Sequence, residues 1–215
     1  HDTCEKMMTE DLEQKGPFFQ LKFKEILESL PETANKDPKL VIPMQDQGPL
    51  ILEEVLPAME EHFGEYEVLA AEEDLMEMIQ DISYGDKNKF KGFIDLVIKT
   101  QDDKIHIIDW KTCSWGWDAR KKADPMITYQ LTFYKHFWAK KHNVDPSMIE
   151  THFALLKRTA KNNRVEIFRV TSGPRKTENA LKFLEKAIYN IERKNFIKNR
   201  LACSKCEFHK TEHCP

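Results

Sequence analysis

The chain has 215 residues, of which 32% are charged and 40% hydrophobic, and its formal net charge is −3. This length is sufficient for one well-packed domain with appendages. No apolar run approaches the roughly 18 residues that a membrane span requires, and the first residues lack the apolar core of a signal peptide. With this net charge the protein is not basic as a whole, but it can still have a local basic groove.

The N-terminal part of the chain is predicted to be helical. Residues 5–30 carry apolar side chains at helical spacing, and a polar, proline-containing loop is predicted from Pro31 to Pro49. A helix is predicted from about Leu50 to Phe63, where Pro57 should introduce a kink. The apolar stripe of the first segment is Phe18, Phe19, Leu21, Phe23, Ile26, Leu27 and Leu30, and that of the later helix is Ile51, Leu52, Val55, Leu56, Met59 and Phe63.

Strands are predicted next. Tyr66 to Ala71 forms the first, Met76 to Ile82 the second, and Tyr84 to Asn88 a turn before the following strand. Between Gly92 and Thr112, two runs rich in β-branched and aromatic residues enclose a polar turn, which predicts a hairpin.

This hairpin brings two acids and a lysine together. Side chains alternate across a strand, so Ile107, Asp109 and Lys111 share one face. Asp95 ends a glycine-led segment of the partner strand, within reach of both charged groups. Carboxylates can hold a divalent cation that activates water, so the residues predict a hydrolytic metal site. The alternative is an ordinary ion pair at an exposed strand end.

The second half of the chain alternates helices and strands. An irregular segment is predicted for residues 113–127, a helix from about Tyr129 to Lys141, strands from His152 to Lys157 and from Val165 to Val170, and an amphipathic helix from about Lys176 to Lys198. The last helix should direct Ala180, Leu181, Leu184, Ala187, Ile188 and Ile191 inward. The order of elements predicts an α/β fold with a mixed central β-sheet flanked by helices.

Two basic clusters could contact nucleic acid. Cations interleaved with aromatic side chains suit a single strand, whose bases stack while its phosphates pair with lysine. The alternative is an ordinary solvated loop. The first cluster comprises Trp115, Trp117, Arg120, Lys121 and Lys122, and the second comprises Lys157, Arg158, Lys161 and Arg164.

A cysteine-rich tail closes the chain. Five cysteines are an odd number, unsuited to a fully paired disulfide framework, and their clustering at the C-terminus predicts metal ligation in a reducing compartment. We therefore expect the cytoplasm, or the host cytoplasm if the gene is viral. Cys203, Cys206 and Cys214, with His209 and His213 between them, could bind Zn²⁺. They could instead bind three irons of a [4Fe–4S] cluster, or no metal.

The motifs G-x-I-D from Gly92, D-x-K-T from Asp109 and Q-L-x-x-Y from Gln130 follow one another in order. Together they resemble the PD-(D/E)XK nuclease superfamily, and within it the RecB-like exonuclease branch of phage and CRISPR adaptation-associated nucleases. The likeness spans roughly Gly48 to Tyr134. It implies a restriction-endonuclease-like core and a Mg²⁺- or Mn²⁺-dependent deoxyribonuclease, an exonuclease in preference to an endonuclease.

The resemblance assigns roles to individual residues. Asp95, Asp109 and the backbone carbonyl of Trp110 would bind the metal ion, and Lys111 would orient or deprotonate the attacking water. Gln130 and Tyr134 lie four residues apart on one helical face and would line the site and contact the DNA backbone. The alternative for the tyrosine is a side chain packed into the core.

One position departs from the family pattern. Relatives usually carry a further histidine or acid on the helix that follows the glycine equivalent to Gly48, and here the usual histidine position is Leu52. Glu53 or Glu54 could supply the missing ligand, and Glu53 is the candidate we select. Glu72, at the end of the first predicted strand, could contact metal or water. The alternative for all of these glutamates is a solvated carboxylate.

The resemblance also bears on the tail and on function. Relatives with an iron–sulfur cluster take one cysteine from far upstream, so Cys4 would join the three tail cysteines. We divide the chain into an N-terminal helical segment and loop (1–47), a nuclease core (48–200) and the metal-binding tail (201–215). The expected substrate is single- or double-stranded DNA in recombination, repair or phage DNA processing. A structure-selective endonuclease and a catalytically inactive recombination scaffold are the alternatives.

Overall fold

A mixed five-stranded sheet forms the centre of the protein in a computed structural model that describes residues 1–34, 36–195, 200–212 and 214. Strands β3 and β4 are parallel, and every other neighbouring pair is antiparallel. The parallel pair needs a crossover connection, which helices provide. In chain and sheet order the strands are β1 (Tyr66–Met78), β2 (Lys89–Thr100), β3 (Ile105–Cys113), β4 (Ile149–Lys157) and β5 (Val165–Val170).

Helices cover both faces of this sheet, which confirms the predicted α/β class. Side chains of α5 and α6 pack with Ile107 and Phe153 on one face, and those of α1 and α3 pack with Ile108 and Trp110 on the other. The helices are α1 (Asp2–Thr9), α2 (Lys15–Ser29), α3 (Pro38–Phe63), α4 (Ala119–Ala123), α5 (Pro125–His142) and α6 (Pro174–Glu192), with 3-10 turns at Pro146–Met148 and Arg200–Lys205.

Strand β3 shows the alternation that the sequence predicts. Ile107 belongs to the apolar cluster beneath α5, whereas Ile108 and Trp110 belong to the cluster beneath α3. Asp109 and Lys111 continue the Ile107 row, so they lie on the α5 face of the sheet.

The loop predicted from Pro31 to Pro49 is wrong in its second half, because α3 begins at Pro38. The Asp37 carboxylate caps this start by accepting a hydrogen bond from the backbone N–H of Lys39 (2.9 Å). Proline is well accommodated at a first helical position, where its missing N–H has no partner to lose. Helix α3 therefore crosses the predicted boundary between residues 47 and 48, and Cys4 of α1 is buried in the same cluster as α3 side chains.

The separate strand predicted from Met76 to Ile82 is also wrong. Strand β1 runs without interruption to Met78, and its register passes from Ala71 opposite Leu96 to Glu73 opposite Ile94. Glu72 therefore lies opposite Asp95, and it has a left-handed backbone with φ of 48°.

Other boundaries shift by a few residues. Helix α5 starts at Pro125, behind an Asp124 cap, and α4 occupies part of the segment predicted as irregular. Helix α6 ends at Glu192, and Ile191 is 74% exposed instead of pointing inward. Residues 196–198 of the predicted helix lie outside the described residues.

The predicted stripe on α2 is only partly covered, because this helix contributes no buried residue and Leu21 is 56% exposed. No helix in the described ranges combines the length and the apolar character that crossing a membrane requires.

Candidate active site

Asp95 and Asp109 lie where β2 and β3 separate. The last paired residues of the two strands are Leu96 and Ile108, and the two acids stand one position beyond them. Asp95 Oδ2 accepts a hydrogen bond from the backbone N–H of Trp110 (2.7 Å). This bond satisfies a buried backbone donor and holds the Asp95 carboxylate against the residue that follows Asp109.

Both acids are withdrawn from solvent, with Asp95 8% exposed and Asp109 2% exposed. Burial raises the pKa of Asp109 to about 6, with Lys111 lowering it and Asp95 raising it further. Burial also raises the pKa of Asp95, against the opposing effect of the Trp110 hydrogen bond. Two buried carboxylates that disfavour each other's charge form a site that a cation would stabilise.

Lys111 lies beside Asp109 at the mouth of this site. Its Nζ is 2.5 Å from Asp109 Oδ2, and its side chain is 29% exposed. The same Oδ2 is buried, and the Lys111 ammonium is the close polar partner that the described residues give it. A buried carboxylate next to a second acid fits a ligand for a hard divalent cation.

Glu72 provides a third carboxylate at the site. Ligand atoms of His1, Glu72 and Asp95 lie within 4.8 Å of one another. Burial raises the pKa of Glu72, and the negative charge of Asp95 adds to this effect. His1 Nδ1 is 3.4 Å from Asp95 Oδ1. The sequence did not point to His1, because no local pattern links it to an acid 94 positions away.

The structure gives Glu53 and Glu54 other partners. The Glu53 side chain is 65% exposed and lies 3.4 Å from Lys15 Nζ. Glu54 accepts hydrogen bonds from the backbone N–H and guanidinium of Arg164, at 2.6 and 2.8 Å. Among the described residues, neither glutamate joins a group of three potential metal ligands. Of the acids considered from the sequence, Glu72 is the one whose carboxylate lies near Asp95, and Leu52 is a buried core residue.

Gln130 and Tyr134 reach the site from α5. The Gln130 side-chain amide donates to the Tyr134 hydroxyl (3.1 Å), and Tyr134 is only 6% exposed. Burial raises the pKa of Tyr134, with smaller effects from Asp109 and Asp95. A Cβ at Gly92 would lie 2.6 Å from the tyrosine ring, which explains the glycine of the G-x-I-D motif. Tyr134 is thus packed in the core, and the charges of Asp109 and Asp95 act on its hydroxyl.

The predicted nucleic-acid contacts differ in accessibility. The half-buried Trp117 ring packs against Phe153 with ring centroids 5.1 Å apart, and Lys121 Nζ lies 4.6 Å above it. The Trp117 ring therefore packs against the core, whereas the Trp115 side chain is 78% exposed. Lys122 forms an ion pair with Glu166, and Arg158 donates to Ser114 Oγ (3.2 Å).

A further aromatic side chain lies next to Asp95. Phe93 is 49% exposed, and Lys91 Nζ is 5.3 Å from the centre of its ring. The sequence signal for this pair was the K-G-F-I-D stretch itself, in which a cation and an aromatic residue precede the acid on one strand.

The four cysteines predicted as metal ligands occupy two separate environments. Cys4 is 2% exposed within the apolar cluster beneath α3, where burial raises the pKa of its thiol to about 11. Cys203, Cys206 and Cys214 are half-buried or exposed in the tail, and His213 lies outside the described residues. Within the described ranges, no group of three potential ligands includes a cysteine. The metal-binding tail with Cys4 stays a prediction.

Comparison with known proteins supplies the family. The model of the PD-(D/E)XK nuclease superfamily matches residues 3–214. Among curated protein sequences, none matches this chain. A candidate exonuclease from Eubacterium rectale is 14% identical over 93% of this chain and 74% of its own, with a TM-score of 0.52. The crystal structure of SSO0001 aligns at 16% identity over 89% of this chain and 92% of that chain, with a TM-score of 0.43.

Proposed function

Since the chain belongs to the PD-(D/E)XK nuclease superfamily, we propose that it is a divalent-metal-dependent deoxyribonuclease that acts as an exonuclease. The observation that carries this proposal is the Asp109 carboxylate. It is buried, its pKa is raised to about 6, and it lies beside Asp95 and Lys111. A surface ion pair would have no reason to sit at 2% exposure.

Asp95 and Asp109 would hold Mg²⁺ or Mn²⁺, with Glu72 as a third carboxylate and the Trp110 carbonyl as the backbone ligand. Such a cation acidifies a bound water molecule and neutralises phosphate charge. Hard oxygen ligands are the donor set that both ions prefer. Burial raises the pKa values of all three carboxyl groups, and the negative charge of Asp95 adds to this effect at Glu72 and Asp109. A cation would relieve that repulsion.

Lys111 and Tyr134 would act on the water and the phosphate. The Lys111 ammonium, next to Asp109, can orient the attacking water and stabilise charge that develops on the phosphoryl oxygens. Tyr134 keeps its proton because its pKa is raised, so its hydroxyl can donate to a phosphate oxygen. Gln130 fixes the direction of that hydroxyl through its own hydrogen bond.

Exposed groups around the site suit DNA. Trp115 and Phe93 can stack on bases, and the exposed Lys91 and Lys121, with the half-buried Arg158, can pair with phosphates. The motif order of the RecB-like branch favours an exonuclease, and a protein of similar fold is described as a candidate exonuclease. Recombination, repair or phage DNA processing would be the setting, in the cytoplasm of the cell or of the host. The tail cysteines would bind zinc or an iron–sulfur cluster.

The test uses linear DNA labelled at the 5′ or 3′ end, single- and double-stranded, with Mg²⁺, Mn²⁺ or EDTA. The proposal predicts metal-dependent release of short products from linear DNA, none from a circle, and loss of cleavage in Lys111→Ala. Lys99→Ala is the matched control, because Lys99 pairs with Asp103 at the other end of the hairpin. Cleavage of the circle would establish an endonuclease. No cleavage by protein with its cysteine-bound metal intact would indicate a DNA-binding scaffold.

A further inference from the structure

Three histidines gather near the start of β3, away from the acids. His106 on β3 and His152 on β4 lie on the α3 face and are 8% and 2% exposed. His62, in the last turn of α3, meets the His152 ring edge to face with centroids 5.3 Å apart. Asp109 is three residues further along β3, about 10 Å, and on the opposite face. The nuclease chemistry uses none of these histidines.

The ring nitrogens of two histidines face each other across the strands. His106 Nδ1 and His152 Nε2 are 3.0 Å apart. Glu150 lies opposite His106 in the β3–β4 register, and ligand atoms of all three residues fall within 4.8 Å of one another. Two nitrogens bound to one tetrahedral Zn²⁺ at 2.0–2.1 Å are about 3.3 Å apart. A movement of a few tenths of an ångström would therefore admit the ion between them.

Both imidazoles lie in an environment that disfavours their charged form. Burial lowers the pKa of His152 to about 3 and also lowers the pKa of His106. Neutral imidazole is the metal-binding state. His152 Nδ1 is buried and has no hydrogen-bond partner among the described residues. The nitrogen that faces His106 is Nε2, so the unpartnered Nδ1 lies outside the contact between the two rings.

Neighbouring side chains hold the ligands in place. His106 Nε2 lies 3.0 Å from Thr100 Oγ1, and the Thr100 hydroxyl in turn donates to Asp102. This chain orients the imidazole so that Nδ1 faces His152, as outer partners of metal-binding histidines do. Arg169 lies 3.0 Å from Oε1 of Glu150, and a carboxylate oxygen of Glu150 lies within 4.8 Å of both imidazole ligand atoms.

We propose that His106, His152 and Glu150 bind one Zn²⁺ or a similar divalent transition-metal ion. Nitrogen and carboxylate ligands in this proportion suit zinc, with His62 or water completing the tetrahedron. An open cleft of about 390 Å³, lined in part by His62 and His106, provides access. The ion would tie the end of α3 to β3 and β4, so its role would be structural and independent of the nuclease site.

The experiment is a Zn²⁺ titration of the full chain after removal of metal with EDTA. It is run on the wild type and on Cys203→Ser/Cys206→Ser, which removes the competing tail. The proposal predicts one equivalent of zinc in the cysteine variant and also when Asp109→Asn is added. Co²⁺ should give the visible bands of tetrahedral coordination without a thiolate charge-transfer band. Zinc binding that disappears with the tail cysteines would overturn the proposal.

Ligand variants in the same background locate the site. His106→Gln and His152→Gln should no longer bind the one equivalent of zinc tightly. Thr100→Val should weaken zinc affinity about 10–100-fold. Glu150→Gln should leave the fold intact, because the Glu150 side chain is partly exposed. This variant should also weaken zinc binding. His136→Gln is the matched control, since that histidine of α5 pairs with Asp81. Unchanged affinity in both the Glu150 and His152 variants would refute the assignment.

Discussion

Replacing Gly92 with alanine tests how the site is assembled. The added Cβ would lie 2.6 Å from Tyr134 Cε1, whereas non-bonded carbon atoms normally approach to about 3.5–4.0 Å. An overlap of about 1 Å must be relieved by moving β2 or the ring. Tyr134 is 6% exposed and hydrogen-bonded to Gln130, so its ring has little space to move away from the added Cβ. Overpacking of this kind costs about 1–3 kcal/mol.

Urea unfolding of Gly92→Ala should therefore show a free energy of unfolding about 1–3 kcal/mol below that of the wild type. Gly16→Ala is the control, because its Cβ would make only an ordinary 3.7 Å contact with Pro49. It should be neutral or stabilising by up to about 1 kcal/mol. Tyr134→Leu removes the ring, so the double variant with Gly92→Ala should lose less stability than the two single changes added together.

Two results would refute this reasoning. One is a Gly92→Ala protein as stable as the wild type. The other is strict additivity of the two changes, which would mean that the alanine and the tyrosine ring do not interact. Because Gly92→Ala also displaces the Tyr134 hydroxyl, it should reduce DNA cleavage, whereas Gly16→Ala should leave cleavage unchanged.

Three further predictions concern the acids and the DNA surface. The folded-state pKa of Asp109 is raised to about 6, so metal-free protein should lose stability as pH rises from about 4 to about 6. Asp109→Asn should remove that slope and stabilise the protein at pH 7 by up to about 3 kcal/mol in urea unfolding with EDTA, while abolishing cleavage. If the free energy of unfolding of Asp109→Asn fell with pH as steeply as that of the wild type, the raised pKa of Asp109 would be contradicted. Glu72→Gln should weaken Mn²⁺ affinity about 10–100-fold by calorimetry, whereas equal loss in Glu53→Gln would restore the sequence-based choice. Trp115→Ala should cost about 1–3 kcal/mol of single-stranded DNA binding in anisotropy titrations, and no loss would mean that this exposed ring does not stack.

The parts of the site that could be predicted from sequence are those encoded locally. Alternation along one strand put Asp109 and Lys111 on the same face, and a helical spacing of four put Gln130 beside Tyr134. The hairpin brought Asp95 near because its turn is short. Each of these relations needs only a few consecutive residues, so tertiary packing did not alter them.

The sequence offered Glu53, Glu54 and Glu72 as further acids, but it could not show which of them lies near Asp95. Glu72 reaches Asp95 because β1 continues past Ala71 and pairs with β2, and because its own backbone adopts a φ of 48°. A single sequence shows neither the pairing register nor that conformation. Glu53 has an equally plausible place on a helix, but its orientation depends on how α3 packs, which leaves it at the surface with Lys15.

The start of α3 was missed for a different reason. Several prolines suggested a loop before Leu50, yet Asp37 followed by Pro38 is itself a helix-start pattern. The helix then tolerates Pro43, Pro49 and Pro57 because burial of Ile51 and its neighbours stabilises it against the sheet. Tertiary packing here overrides the local preference of proline.

The most direct measurement of the central claim is cleavage of end-labelled linear DNA by wild type and Asp109→Asn, with Mg²⁺ or Mn²⁺ and with EDTA. If the Asp109 carboxylate holds the catalytic ion, the wild type should cleave with either metal and not with EDTA. Asp109→Asn should not cleave at all, although it should be folded and at least as stable as the wild type. Cleavage by Asp109→Asn at the wild-type rate would show that the buried carboxylate does not hold the catalytic ion, and it would contradict the proposed mechanism.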